Sequence, residues 1–107
     1  MTITVKVLAD GQLPSAKGTL YTVPGSTKTY VKFFSVNNVS GIDQNVEIFL
    51  NVSGTSRKIA FATLTPNDGA RIIDKDEAVT LEAGDLIEGL STNATSVDYV
   101  ITGAEEV

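Results

Sequence analysis

Apolar positions in this chain recur with a period of two. Val46, Ile48 and Leu50 alternate with Asn45, Glu47 and Phe49, and Val97, Tyr99 and Ile101 alternate with Asp98, Val100 and Thr102. Near the start, Ile3, Val5 and Val7 alternate with Thr2, Thr4 and Lys6. Successive side chains of an extended strand point to opposite faces, so each triplet predicts a strand with one face toward a core. Further strand-like stretches cover 19–23, 29–37, 58–64, 70–74, 78–81 and 85–92. About eight or nine short strands result, and no stretch carries a helical period.

Turn chemistry separates these stretches. Asp10-Gly11, Pro24-Gly25, Ser40-Gly41, Ser53-Gly54, Asp68-Gly69 and Gly84-Asp85 supply residues that tolerate positive φ or start a turn. The run 51–57 reads as a hairpin loop with a Ser/Gly/Thr-rich tip, and Gly89 marks a bulge or a close backbone approach inside a strand. The stretch 9–18, with Pro14 in it, has the least pattern and reads as an extended arm or loop after the first strand. So many strands in 107 residues bury their inward faces best as two packed sheets. The expected fold class is all-β: one domain over 1–107, a single antiparallel β-sandwich, jelly-roll-like.

Composition narrows the chemistry. The chain is 42% hydrophobic and 20% charged, ordinary for a folded domain, and no apolar run approaches the roughly 20 residues of a membrane-spanning helix. The opening residues lack the basic and long apolar regions of a signal peptide, so no membrane or secretory routing is expected. Without cysteine there is no disulfide framework or thiolate metal cluster, and without histidine the best acid–base group near neutral pH is missing. These absences argue against an enzyme, a cofactor or a metal. The net charge of −5 is unevenly spread: residues 1–75 hold all eight bases, and residues 76–107 hold eight acids and no base. The two parts either pair as neighbouring strands and neutralise each other, or present complementary faces that meet between subunits. An acidic chain with no dense basic patch is a poor nucleic-acid binder.

Candidate sites are few. Asp74-Lys75-Asp76-Glu77 clusters carboxylates but lacks calcium-loop spacing and has a lysine in its middle, so a solvated turn explains it better than a metal. Asp98 and Glu88 are the one carboxylate pair worth weighing for glycosidase-like work, although outward strand positions are normally charged. The segment Ser53-Gly54-Thr55-Ser56 has no histidine to activate a serine, and a dyad with Lys58 is a remote alternative. The glycines match no nucleotide-binding pattern, and the N-x-S/T triplets at Asn38, Asn51 and Asn93 are ordinary turn composition. Phe33 and Phe34 must face opposite sides of a strand, and Phe49 lies on the polar side of its own, so at least one large apolar group is left for a partner. The contact candidates are the arm around Leu13 and Pro14, the aromatic pair Phe34 and Phe49, and the tip with Ser53, Thr55 and Arg57.

Several stretches together resemble small β-sandwich structural proteins of tailed bacteriophages. They are Gly11-Gln12-Leu13, Leu20 through Gly25, Val31 through Asn38, Val46 through Asn51, Ser53 through Arg57, Leu81 through Glu88 and Val97 through Gly103, nearly the whole chain. The resemblance implies a virion component without catalytic residues, made in the host cytoplasm. Its expected role is a capsid decoration (cement) protein that binds the major capsid protein or other virion proteins as a trimer or dimer. The alternative is a tail- or fibre-associated adhesion module that binds a host surface glycan or protein.

Overall fold

Period-two segments fold as strands, and the tight turns between them roll the chain into two layers. The computed structural model describes residues 2–107. Its strands are β1 (Ile3–Gln12), β2 (Gly18–Thr22), β3 (Lys28–Asn38), β4 (Gln44–Val52), β5 (Thr55–Leu64), β6 (Gly69–Ile73), β7 (Val79–Leu81), β8 (Leu86–Ser91) and β9 (Val97–Glu106). A single 3₁₀ turn spans Lys75–Glu77. One sheet has the order β1-β9-β3-β6 with β7 also against β3, and the other has the order β2-β8-β4-β5.

The pairing is nested. Outermost is β1 with β9, then β2 with β8, then β3 with β6, then β4 with β5, each antiparallel. The chain is therefore a long hairpin ribbon wrapped into a sandwich, which is the jelly-roll arrangement expected from its strand count. The tip of the ribbon is tighter than a seven-residue loop. Val52 pairs with Thr55, and only Ser53 (φ 54°) and Gly54 (φ 84°) lie between them. Two consecutive positive φ values make a type I′ hairpin turn, whose twist matches that of the flanking strands.

The expected arm at 9–18 is also corrected. Residues 9–12 continue β1, and Leu13 is fully buried with its N–H on the Val97 carbonyl at 2.9 Å. The Pro14 carbonyl accepts from Ser91 N–H at 2.9 Å, so the crossing from one sheet to the other is fastened to both. Leu13 is apolar because it closes the core at that crossing.

The core follows the alternation in most strands. Val31, Phe34 and Val36 of β3, Val46 and Ile48 of β4, Ile87 of β8, and Val97, Tyr99 and Ile101 of β9 all point between the sheets. Phe34 packs against Tyr99 with ring centroids 6.3 Å apart. Gly89 serves close approach rather than a bulge: a Cβ there would lie 2.9 Å from Ile48 Cδ1 and 3.0 Å from Leu20 Cδ1. Gly103 is tighter still, because a Cβ there would fall on the Tyr30 carbonyl oxygen in the adjacent strand.

Polar groups close the ends of the sandwich. At one end Asn38, fully buried, donates to the carbonyls of Ile42 (2.8 Å) and Leu64 (3.0 Å) and accepts from Ser40 N–H (2.9 Å) and Ser40 Oγ (2.7 Å). Beside it Gln44 exchanges hydrogen bonds with Asn93, which ties the β3–β4 connection to the β8–β9 connection. At the other end Tyr21 donates to Glu105 Oε2 at 2.6 Å and meets Thr29 Oγ1 at 2.8 Å, while Lys6 bridges to Glu105 Oε1 at 3.2 Å. Among the described residues no buried side-chain nitrogen or oxygen lacks a partner. Lys6–Glu105 and Lys28–Glu82 join the basic part of the chain to its acidic end within one molecule, the first of the two arrangements the charge polarity allows.

Candidate binding surfaces

One expected core face is not in the core. Ile3, Val5 and Val7 are 57%, 76% and 54% exposed, although they alternate as cleanly as the triplets that are buried. The cause is a register shift in β1 between Val7 and Ala9. Past the shift, Ala9 pairs with the inward Ile101 and packs toward the core; before it, Val5 pairs with Ala104 and Val7 with Thr102 on the outer side. The inward positions of that half are Thr4 and Lys6, and Lys6 meets Glu105 at the polar end of the sandwich. One extra residue thus turns the apolar side of the N-terminal half of β1 outward. Ile3 and Val5, with Tyr30, Lys32, Ala78, Thr80 and Ala104, line an open groove of about 330 Å³ on that face.

A second exposed apolar area lies on the outer face of the other sheet. Phe61 is 59% exposed and Ile59, at a register shift in β5, is 42% exposed. Phe49 is beside them and half-buried. Lys17 Nζ lies 4.9 Å from its ring centroid and Lys58 Nζ 5.9 Å, so two cations cover the ring in place of the partner its position suggested. Lys58 also bridges to Glu47 at 2.6 Å.

The structure separates the other contact candidates. Phe34 is completely buried and is a core residue; its neighbour Phe33 is the one on the outer face, with the Arg71 guanidinium 5.1 Å from its ring. Leu13 is buried and Pro14 half-buried at the sheet crossing. Ser53, Thr55 and Arg57 are exposed at the β4–β5 end, but Thr55 and Arg57 belong to β5 and not to a loop. Ser53 N–H is fastened to Asp85 Oδ1 at 3.2 Å.

Nor do the weighed chemical groups converge. Asp98 is on β9 and accepts from Gln12 Nε2 at 3.0 Å, whereas Glu88 is on β8 in the other sheet and accepts from Ser56 Oγ at 2.7 Å. They point outward on opposite faces of the sandwich, so they do not form a pair. Among the described residues no three Asp or Glu side chains come together in a way that could hold a metal ion. The Asp74–Glu77 run forms a short turn, with Glu77 N–H on the Asp74 carbonyl at 2.8 Å. At the closed polar end, burial, then the Glu105 hydrogen bond, pushes Tyr21 up to about 12, and that hydrogen bond in turn holds the Glu105 carboxyl below its usual range. The Tyr30 hydroxyl is raised by its 2.6 Å hydrogen bond to Glu106. Each of these groups is locked in a side-chain pairing, Tyr21 with Glu105 and Tyr30 with Glu106, and Tyr30 of the second pair borders the open groove beside β1.

No family model and no curated protein matches the chain. Among solved structures, the subunit of Bacillus endospore appendages, described as a novel family of disulfide-linked pili, superposes with a TM-score of 0.59 at 14% identity, over 99% of this chain and 88% of that one. A chain of infectious bursal disease virus, strain Gt, aligns with a TM-score of 0.32 at 7% identity, over 97% of this chain and 32% of that chain, too weak a likeness to support an argument. The first shows a shared fold. Neither is a tailed-phage protein.

Proposed function

We propose that this protein is a non-catalytic structural subunit that works by binding protein surfaces in a larger particle, as a capsid decoration protein of a bacteriophage. The observation that carries the reading is the contrast between its surfaces and its polar groups. Apolar side chains stand unburied on both outer faces, Ile3, Val5 and Val7 on one and Ile59 and Phe61 on the other. The carboxylates that could do chemistry are hydrogen-bonded on opposite sheets. Exposed apolar patches of this kind mark contact with other proteins. Many copies on a lattice gain by avidity what one small contact lacks. The likeness over nearly its full length to an appendage subunit supports repeated assembly in general. It also favours a second reading, a subunit of a tail or fibre. The disulfide linkage described for that neighbour is unavailable to a chain with no cysteine.

The test is the copy number of the chain in purified particles, measured by mass spectrometry against the major shell protein. A ratio near one to one, or a fixed number of copies per lattice site, is the expected result. A few dozen copies would transfer the protein to the tail or fibre, and its absence from particles would overturn the reading.

A further inference from the structure

We propose that the segment Ile3–Val7 of β1 pairs antiparallel with the same segment of a second copy, across a two-fold axis at Val5, to join two five-stranded sheets into one. This deepens the structural-subunit reading and rests on it for its setting.

β1 is an edge strand with β9 on one side only. Thr2 and Val107 exchange both backbone hydrogen bonds, each at 3.0 Å. In an antiparallel ladder such pairs recur every second residue, so Thr4 and Lys6 also aim their N–H and C=O at β9. Ile3, Val5 and Val7 therefore aim theirs away, at the open edge. The same three residues carry the apolar side chains exposed on the outer face.

An unpaired edge invites another strand, and proteins blunt it with charges, bulges or short strands. Beyond Val7, β1 has a register shift and then Asp10. On the other sheet, β5 carries Arg57, Lys58 and its own shift, and β2 is short and shifted between Thr19 and Tyr21. At the opposite edge of the first sheet, β6 and β7 are five and three residues long. The one charge in the Ile3–Val7 stretch, Lys6, is on the inner face and bridged to Glu105 at 3.2 Å, and the outer face has none of these devices.

Ile3-Thr4-Val5-Lys6-Val7 reads nearly the same in both directions. With Val5 on the axis, Ile3 of each copy opposes Val7 of the other and Val5 opposes Val5. All three positions have their free backbone groups facing, so each pair closes two hydrogen bonds. On the inner face Lys6 opposes Thr4, and no like charges meet. A slip of one pairing step in one direction sets Lys6 against Lys6, which is repulsive, and in the other sets Val7 beyond the start of β1. The pattern thus selects a second copy and a single register. The apolar stripes of the two copies then form one band across the joined sheet, beside the 330 Å³ groove of each.

Sedimentation equilibrium of the purified chain, with circular dichroism to confirm folding, tests the pairing. A dimer is expected. Val5→Lys places two lysines opposite each other and raises the dimer Kd by roughly tenfold or more. Val5→Pro removes an N–H that β9 does not use, and weakens the dimer while the fold persists. The absence of native cysteine allows a direct test of register. Chains with Ile3→Cys and chains with Val7→Cys should cross-link when mixed and not when oxidised alone, since opposed Cα atoms about 5.5 Å apart suit a disulfide. A monomer at every concentration, a dimer indifferent to both Val5 changes, or cross-linking of Ile3→Cys alone as fast as of the mixture would overturn the pairing. A monomer still present at high copy number in particles would sink this inference and leave the structural-subunit reading standing; a well-registered dimer absent from particles would do the reverse.

Discussion

Replacing Asn38 by Asp tests how the closed end of the sandwich is held, and the two side chains have almost the same shape. The native amide nitrogen donates to the carbonyls of Ile42 and Leu64, and the amide oxygen accepts twice from Ser40. The carboxylate keeps the second function and loses the first, with two carbonyl oxygens at hydrogen-bond distance from a buried negative charge. Ile42 is exposed and its carbonyl can turn to water, but Leu64 is buried and cannot. Losing the donation to the buried Leu64 carbonyl costs about 1–3 kcal/mol and a buried charge facing two carbonyl oxygens adds to it, so a loss of about 2–4 kcal/mol is expected near neutral pH. For a domain of this size that lowers Tm by roughly 10–20 °C. The sign with pH follows from the surroundings: they raise the folded pKa of the new carboxyl above its unfolded value, so the deficit is full above the folded pKa. It shrinks as pH falls toward the unfolded value. Urea unfolding of both proteins across that range, followed by circular dichroism, measures the difference. A deficit under about 0.5 kcal/mol at neutral pH, or one that does not shrink in acid, would refute the reasoning.

Other outcomes follow from the same structure. Phe34→Ala should cost about 3–5 kcal/mol in urea unfolding, whereas Phe61→Ser should stay within about 0.5 kcal/mol, because only the first side chain is buried. Gly103→Ala should destabilise by about 3 kcal/mol or more, since the new methyl meets the backbone of β3 and not a flexible side chain. Glu105 is held below its usual pKa, so its contribution is present above the unfolded value and is lost as pH falls through the folded one; Glu105→Gln should flatten that acid limb of the stability profile. Tyr21→Phe should cost about 1–3 kcal/mol by thermal unfolding, from the hydrogen bonds to Glu105 and Thr29.

The strands were legible because most of them bury one face, and the alternation in β4 and β9 marks that face directly. Strand order was not, because pairing β1 with β9 and β2 with β8 depends on the nesting of the whole ribbon and not on any local signal. The N-terminal half of β1 misled for a specific reason. Ile3, Val5 and Val7 alternate as a core face does, and the register shift before Ala9 that turns them outward has no Gly or Pro to announce it. Phe34 misled in the opposite way: two adjacent phenylalanines require one outward ring, but composition does not say which, and the structure turns Phe33 out. Phe49 alternates onto an outer face, yet the lysines that cover it come from β5 and from the sheet crossing, segments that only the fold brings together. Leu13 lay in a stretch without pattern because it is the single inward residue of a crossing and has no period to belong to.

The central claim is that this protein acts through its outer faces, first of all the exposed half of β1. Hydroxyl-radical footprinting of the free chain and of the chain in the proposed particle tests it directly. The account predicts strong protection of Ile3, Val5 and Val7 on assembly, with Phe34 and Ile101 unreactive in both states. Equal reactivity of the three β1 residues in the free and assembled chain would contradict it.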